Sequence, residues 1–212
     1  MGGLSRPRRG SPPEPDYGEP AGARGQAPAD YVFGYGSLAR DLLAQVTVAR
    51  LRGYRRVVGV AADNSRRIAG YKRYRLPTDG SFPDVYVAFL DIVEDAQTVV
   101  NGILAPVDPT ALADLDRRER NYDRIDVTAA IDSPPDGYVW AYEGSADGRA
   151  RLAAGIAAGT AVIQRSYLDH VDAGFRRLGA VEHDRFVATT DLGGLPLLDL
   201  ERVDIPAERI DR

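Results

Sequence analysis

Asp30 to Leu43 reads DYVFGYGSLARDLL. Its first part, Tyr31-Val32-Phe33, is the apolar run of a buried strand. Gly34-Tyr35-Gly36-Ser37 then turns the chain into a short helix expected over Leu38–Gln45. Glycines let the backbone turn sharply and leave it open to a ligand. Ser37 is placed to cap the helix, so several free N–H groups face one point. A carboxylate or a polarised carbonyl oxygen fits at such a point. The second informative stretch is Asp108 to Tyr122, DPTALADLDRRERNY. Asp108 suits an N-cap and Pro109 the first helical position, and the helix is expected to run on from Thr110 to Asn121.

Outward from these two stretches the chain reads as strands with intermittent helices. Arg50–Ala62 is a β-branched strand region, and Asp63–Gly80 is polar and expected to be a long loop. Two apolar strands follow, Pro83–Val93 and Val99–Val107, the second interrupted by Gly102. Arg124–Asp132 alternates Ile125, Val127 and Ala129, and Pro134-Pro135-Asp136-Gly137 is a turn. In Tyr138–Tyr142, Tyr138, Trp140 and Tyr142 share one face. Asp147–Gly179 is expected to be helical with a break near Gly155 and Gly159, and Arg185–Thr190 a last short strand. The strands do not alternate with crossover helices. An α+β fold is therefore expected, a curved or barrel-like mixed sheet with helices around it, rather than a doubly wound sheet.

Residues 1–29 are rich in Gly, Pro, Arg and Glu and carry no hydrophobic period, so they read as a disordered tail. The folded domain is expected over residues 30–190, with an irregular extension at 191–212. Hydrophobic residues make up 44% of the 212, enough for a sizeable core. There is no cysteine, which excludes disulfides, thiolate metal sites and cysteine nucleophiles and is compatible with the reducing cytoplasm expected for this chain. Net charge is −4 with both signs interleaved, so no nucleic-acid partner is expected. No apolar run approaches the ~20 residues that span a bilayer, so no membrane partner is expected either. His170 and His183 stand apart with no metal-binding spacing, and there is no G-x-S-x-G elbow, dinucleotide fingerprint or P-loop. Lys72 is the only lysine.

On the second stretch Leu112 and Leu115 start an apolar stripe whose next inward positions are 119 and 122. Position 122 is Tyr, read as a core aromatic; position 119 is Glu. An inward carboxylate must be paired, hydrogen-bonded or functional, because burial without partners costs several kcal/mol, roughly, or raises its pKa. A raised pKa suits a group that takes and gives a proton near neutrality. The alternative is that Glu119, near the helix end, turns outward and pairs with an Arg. The period leaves both open.

VFGYGSL (Val32–Leu38), NGIL (Asn101–Leu104) and LDRRERNYDRIDV (Leu115–Val127) together resemble the gamma-glutamylcyclotransferase superfamily, which includes the glutathione-specific, gamma-glutamylamine and plant AIG2-like branches. The resemblance covers roughly residues 30 to 180. It implies a small β-barrel with surrounding helices, and an enzyme that cyclises a γ-glutamyl group to 5-oxoproline and releases the attached amine or amino acid. The family's L-D-x-x-E pattern falls on Leu115, Asp116 and Glu119, so Glu119 is implied as general acid/base. The loop residues Val32, Phe33, Gly34, Tyr35, Gly36, Ser37 and Leu38 are implied to hold the γ-glutamyl group, with Tyr142 and Tyr167 beside it. Neither cofactor nor metal is implied, and the expected partner is a small γ-glutamyl substrate. This chain has Arg120 where some members have Gly, and Ala39-Arg40 where the glutathione-specific branch has a Trp. The branch stays open, and with it the substrate, among glutathione, γ-glutamyl amino acids and γ-glutamylamines, and so does the leaving group. A non-catalytic binding module of the same fold is the alternative function.

Overall fold

The computed structural model describes residues 30–41 and 46–207. The tail expected at 1–29, the end of the helix expected at 38–45 and residues 208–212 lie outside the described residues.

The architecture is α+β, as expected. Its spine is a pair of long antiparallel strands, β2 (Thr47–Asp63) and β4 (Tyr86–Val107). The two apolar strands expected from the sequence are the two buried stretches of β4. Between them the register jumps from Glu94 opposite Tyr54 to Val99 opposite Arg52, so β4 bulges out opposite Gly53 rather than ending. Thr98 Oγ1 donates to the Tyr54 carbonyl and holds the bulge in place. One end of β4 pairs with β1 (Asp30–Gly34) and the other with β7 (Ala161–Gln164). β6 (Val139–Gly144) runs parallel to β1 and carries β5 (Tyr122–Asp126) on its outer edge. The hydrogen-bonded order β5-β6-β1-β4-β2 ends on β8 (Thr190–Asp191), so the sheet curves without closing into the expected barrel.

Gly102 does not interrupt β4; it makes room for β1. A Cβ there would lie 2.5 Å from the Gly34 carbonyl oxygen and 2.7 Å from the Phe33 ring. Gly34 has nowhere to go, because its own Cβ position is already 3.1 Å from the Ala39 nitrogen. Gly102→Ala is expected to cost about 1–3 kcal/mol, the usual penalty of overpacking. It should appear as a lower urea midpoint at unchanged slope. The neighbouring Asn101 is buried and donates to the carbonyl and Oε2 of Glu182, both at 2.9 Å.

The helices are α1 (Leu38–Asp41), α2 (Pro109–Arg118), α3 (Ala146–Ala157), α4 (Arg165–Arg177) and α5 (Ala180–Ala188). α2 starts as expected, with the Asp108 carboxylate accepting from the Ala111 N–H, a cap that contributes about 1 kcal/mol. Four expectations need correction. The single helical region at 147–179 is two helices with β7 between them; Gly159, at φ 66°, ends the first. The strand expected at 185–190 is mostly α5. Its Phe186 stacks 4.4 Å from Phe175 of α4, and the buried Arg56 guanidinium lies 4.9 Å from the centre of each ring. That burial decides for helix where six residues of sequence could not. Only the first part of the strand expected at 124–132 lies in β5; Thr128–Ala130 is a 3-10 turn. The polar loop expected at 63–80 contains β3 (Lys72–Arg75), which pairs with β10 (Glu201–Asp204) from the segment expected to be irregular. Short β9 (Leu197–Leu198) also lies there, beside β7.

Candidate functional site

The carboxylate flagged by the helix period sits where α2 stops. Glu119 is the C-cap, at φ −88° and ψ 48°. Its N–H donates to the Leu115 carbonyl and its own carbonyl accepts from the Tyr122 N–H. Its side chain is 15% exposed and pairs with Arg118 Nε at 3.2 Å. The two readings the sequence left open therefore coexist: the carboxylate is turned inward and it is paired with an Arg.

Glu119 stands at the junction of two cavities. The inner one, of about 30 Å³, is bounded by Tyr35, Gly36, Ser37 and Leu38 of the glycine turn and by Leu90, Tyr122, Tyr142 and Tyr167. The outer one is about 710 Å³ and shares Ser37, Glu119, Tyr122 and Tyr167 with the inner. Seven of the ten residues singled out in the sequence thus meet around one point. Val32, Phe33 and Gly34 do not line either cavity: Val32 and Phe33 are fully buried in the core behind the turn, and Gly34 is the close-approach residue described above.

The tyrosines form a hydrogen-bonded frame. Tyr35 Oη donates to the Tyr142 carbonyl at 2.6 Å, and Tyr142 Oη donates to Asp116 Oδ1 at 2.8 Å. Asp116 is further held by Arg124 Nη1 at 2.9 Å. The Asp of the L-D-x-x-E pattern thus fixes a wall of the inner cavity. Leu90 is clasped by two rings: its N–H donates to Tyr167 Oη at 3.1 Å, and its carbonyl accepts from Tyr122 Oη at 2.7 Å. Burial pushes all four phenols up, in Tyr142 with help from the adjacent Asp116 carboxylate, so they stay protonated donors. Tyr122 was read as a core aromatic; its hydroxyl and its place on both cavities show the polar half of that residue. Among the described residues no three His, Asp or Glu side chains cluster as a metal site needs. None of their helices is long and apolar enough to cross a membrane.

The model of a known protein family, gamma-glutamyl cyclotransferase, AIG2-like, matches residues 32–158. The chain belongs to this family. The matched segment of the gamma-glutamyl cyclotransferase, AIG2-like family holds the glycine turn, Glu119 and Tyr142, whereas Tyr167 and the strand β10 lie beyond it. Among curated proteins nothing matches. Among solved structures, a gamma-glutamyl cyclotransferase is 13% identical over 76% of this chain and 88% of its own, at TM-score 0.47. An uncharacterized protein from Homo sapiens is 14% identical over 75% and 86%, also at 0.47. A yeast gamma-glutamyl cyclotransferase specific to glutathione is 13% identical over 58% and 72%, at 0.39. The family assignment rests on the matched family model.

Proposed function

We propose that this protein cyclises a γ-glutamyl group to 5-oxoproline and releases the attached amine or amino acid, with Glu119 as general base and then general acid. The observation that carries the reading is the placement of one inward carboxylate at the junction of the two cavities, facing the glycine turn. In this mechanism Glu119 takes a proton from the substrate's α-ammonium. The freed amine attacks the γ-carbonyl carbon and the lactam C–N bond forms. Glu119 gives its proton to the departing nitrogen as the old C–N bond breaks, and the second proton shed by the attacking nitrogen goes to the released amine, which leaves as an ammonium. The protein supplies no nucleophile, in keeping with a chain that has no cysteine. Backbone N–H groups around Gly36, Ser37 and Leu38, which line the inner cavity, hold substrate oxygens and stabilise the one that becomes negative. The tyrosine frame holds the glutamyl chain folded on itself, and such proximity is worth up to about 7–11 kcal/mol.

The test is 5-oxoproline release from a panel of glutathione, γ-glutamyl amino acids and γ-glutamyl-ε-lysine. Release from at least one compound is expected; binding without release from any would make the protein a binding module. Gly36→Ala gives a sharper test. A Cβ at Gly36 would meet nothing closer than Tyr167 Oη at 3.7 Å, an ordinary contact, so the fold should keep its stability. The methyl would nevertheless project toward Tyr167 in the inner cavity. Turnover is expected to fall roughly tenfold or more by misplacing the substrate, with thermal unfolding unmoved. A loss of stability alone would show that the turn is structural only.

A further inference from the structure

The outer cavity has a wall that the proposed chemistry leaves unused. It is the β3–β10 ribbon, where Lys72 faces Asp204 and Tyr74 faces Arg202 in antiparallel register, and all four residues line the cavity. The net charge of the chain is −4, yet this cavity is cationic. Lys72, Arg117, Arg118, Arg120 and Arg202 line it, against the carboxylates of Glu119 and Asp204. Most of those cations are occupied: Arg117 by Asp114, Arg118 by Glu119, and Arg202 by Asp204 at 2.7 Å. Lys72 is different. It is partly buried, its Nζ lies 4.5 Å from the centre of the Phe89 ring and 5.7 Å from that of Tyr71, and it is in no ion pair among the described residues. Arg120 lies over the same Tyr71 ring at 5.6 Å, is exposed and likewise has no ion pair. A partly desolvated ammonium without a counter-ion is costly unless something supplies one.

We infer that Lys72, with Arg120 on the other face of the approach, binds a carboxylate carried by the leaving group of the substrate, and so selects γ-glutamyl amino acids or peptides over γ-glutamylamines that lack one. This rests on the cyclotransferase reading for its geometry: with the γ-carbonyl held beside Glu119, whatever is attached to it extends into the outer cavity toward the ribbon. Lys72 and β10 come from the two segments read as loop and irregular tail, and β10 lies outside the residues matched to the family. Lys72 and Arg120 themselves lie within the matched residues, so the wall joins a strand of the matched segment to one beyond it. Burial, helped by Arg202 and Arg118, brings the Lys72 ammonium down to about 8, against the pull of Glu119 and Asp204 in the other direction. A bound carboxylate would reverse part of that. Lys72 loses its charge as pH rises through that value, so the selectivity weakens above it.

The experiment compares kcat/KM for γ-glutamylalanine and γ-glutamylethylamide, which differ by the one carboxylate, in the full chain and in Lys72→Met and Lys72→Arg. Wild type is expected to favour the carboxylate compound by about tenfold or more, the range of a charge-assisted hydrogen bond. Lys72→Met should shrink that ratio to about threefold or less, mainly through KM, and Lys72→Arg should retain most of it. A ratio that survives Lys72→Met, whatever happens to the absolute rates, overturns the inference, as does a wild type with no preference. Thermal unfolding checks that the variants are folded. If wild type turns over neither these two compounds nor any member of the panel above, the cyclotransferase reading falls by itself. The same two compounds are then titrated calorimetrically into wild type and Lys72→Met. A Lys72-dependent preference in Kd keeps the anion subsite, and no such preference removes it.

Discussion

Glu119→Gln is expected to lower kcat by about 10²–10⁴-fold, the range that a positioned general acid/base supplies, while leaving the protein folded. The amide keeps the shape of the carboxylate and an oxygen for Arg118 Nε, now 3.2 Å away. What it loses is the ability to take the proton from the α-ammonium and hand it to the departing amine. An exposed or half-exposed ion pair contributes about 0–1 kcal/mol, and Arg118 is 45% exposed, so thermal unfolding should move little. KM should change less than kcat, because the glycine turn and the tyrosine frame remain. Unchanged kcat would remove Glu119 from the chemistry; a collapse of stability with kcat would mean that the C-cap position, not the proton transfer, is what the residue serves.

The largest stability effect is expected at Asp91. It is fully buried in β4, directly after the Leu90 that Tyr122 and Tyr167 clasp. Its Oδ1 accepts from the Ile92 N–H at 2.7 Å and the Gly144 N–H at 2.6 Å, and its Oδ2 takes Arg149 Nε at 3.1 Å. One carboxylate thus ties β4, β6 and α3 together. The surrounding backbone is shaped around it: a Cβ at Gly59 would lie 2.4 Å from Asp91 Cβ, and one at Gly144 2.3 Å from Oδ2. Asp91→Ala strands two buried N–H donors and leaves a void. A loss of about 3 kcal/mol is expected from the stranded donors, with no large term from Arg149, which at 40% exposure can return to water. The pH dependence has a definite sign. Burial pushes the Asp91 carboxyl up, and its bonds from Gly144 and Arg149 only partly offset that. A folded-state pKa above the unfolded value means that the folded protein takes up this proton first. Stability from this group therefore rises as pH falls through the folded pKa. The deficit of Asp91→Ala in urea titrations should widen on mild acidification. A deficit that shrinks instead would show that the ion pair with Arg149 dominates burial.

The parts of this molecule that could be read from sequence are those whose partners are close along the chain. Asp108-Pro109 announced the start of α2, and the Leu112–Leu115 spacing pointed at Glu119, because a helix repeats within a few residues. The glycine turn was legible for the same reason. Gly102 could be seen but was misread as an interruption, since the atom it avoids, the Gly34 carbonyl oxygen, lies on another strand. The β3–β10 ribbon was hidden more deeply. KRYR has three basic residues and one aromatic, Tyr74, so no apolar face shows in it, and its partner Glu201–Asp204 is well over a hundred residues away. Tyr122 looked like a core residue because the period reports only which way a side chain points. That its hydroxyl meets the Leu90 carbonyl depends on how β4 and β5 come together. Phe186, which turns an expected strand into α5, stacks on Phe175, a packing contact that local propensity does not carry.

The measurement that bears most directly on the central claim is the fate of γ-glutamylalanine with the wild-type protein in ¹⁸O-labelled water, followed by mass spectrometry. Intramolecular attack by the α-amine is expected to give 5-oxoproline and alanine in equal amounts, with no label in either. Labelled glutamate would mean that water, not the substrate's own amine, attacks the γ-carbonyl, and would contradict the cyclotransferase reading of the site.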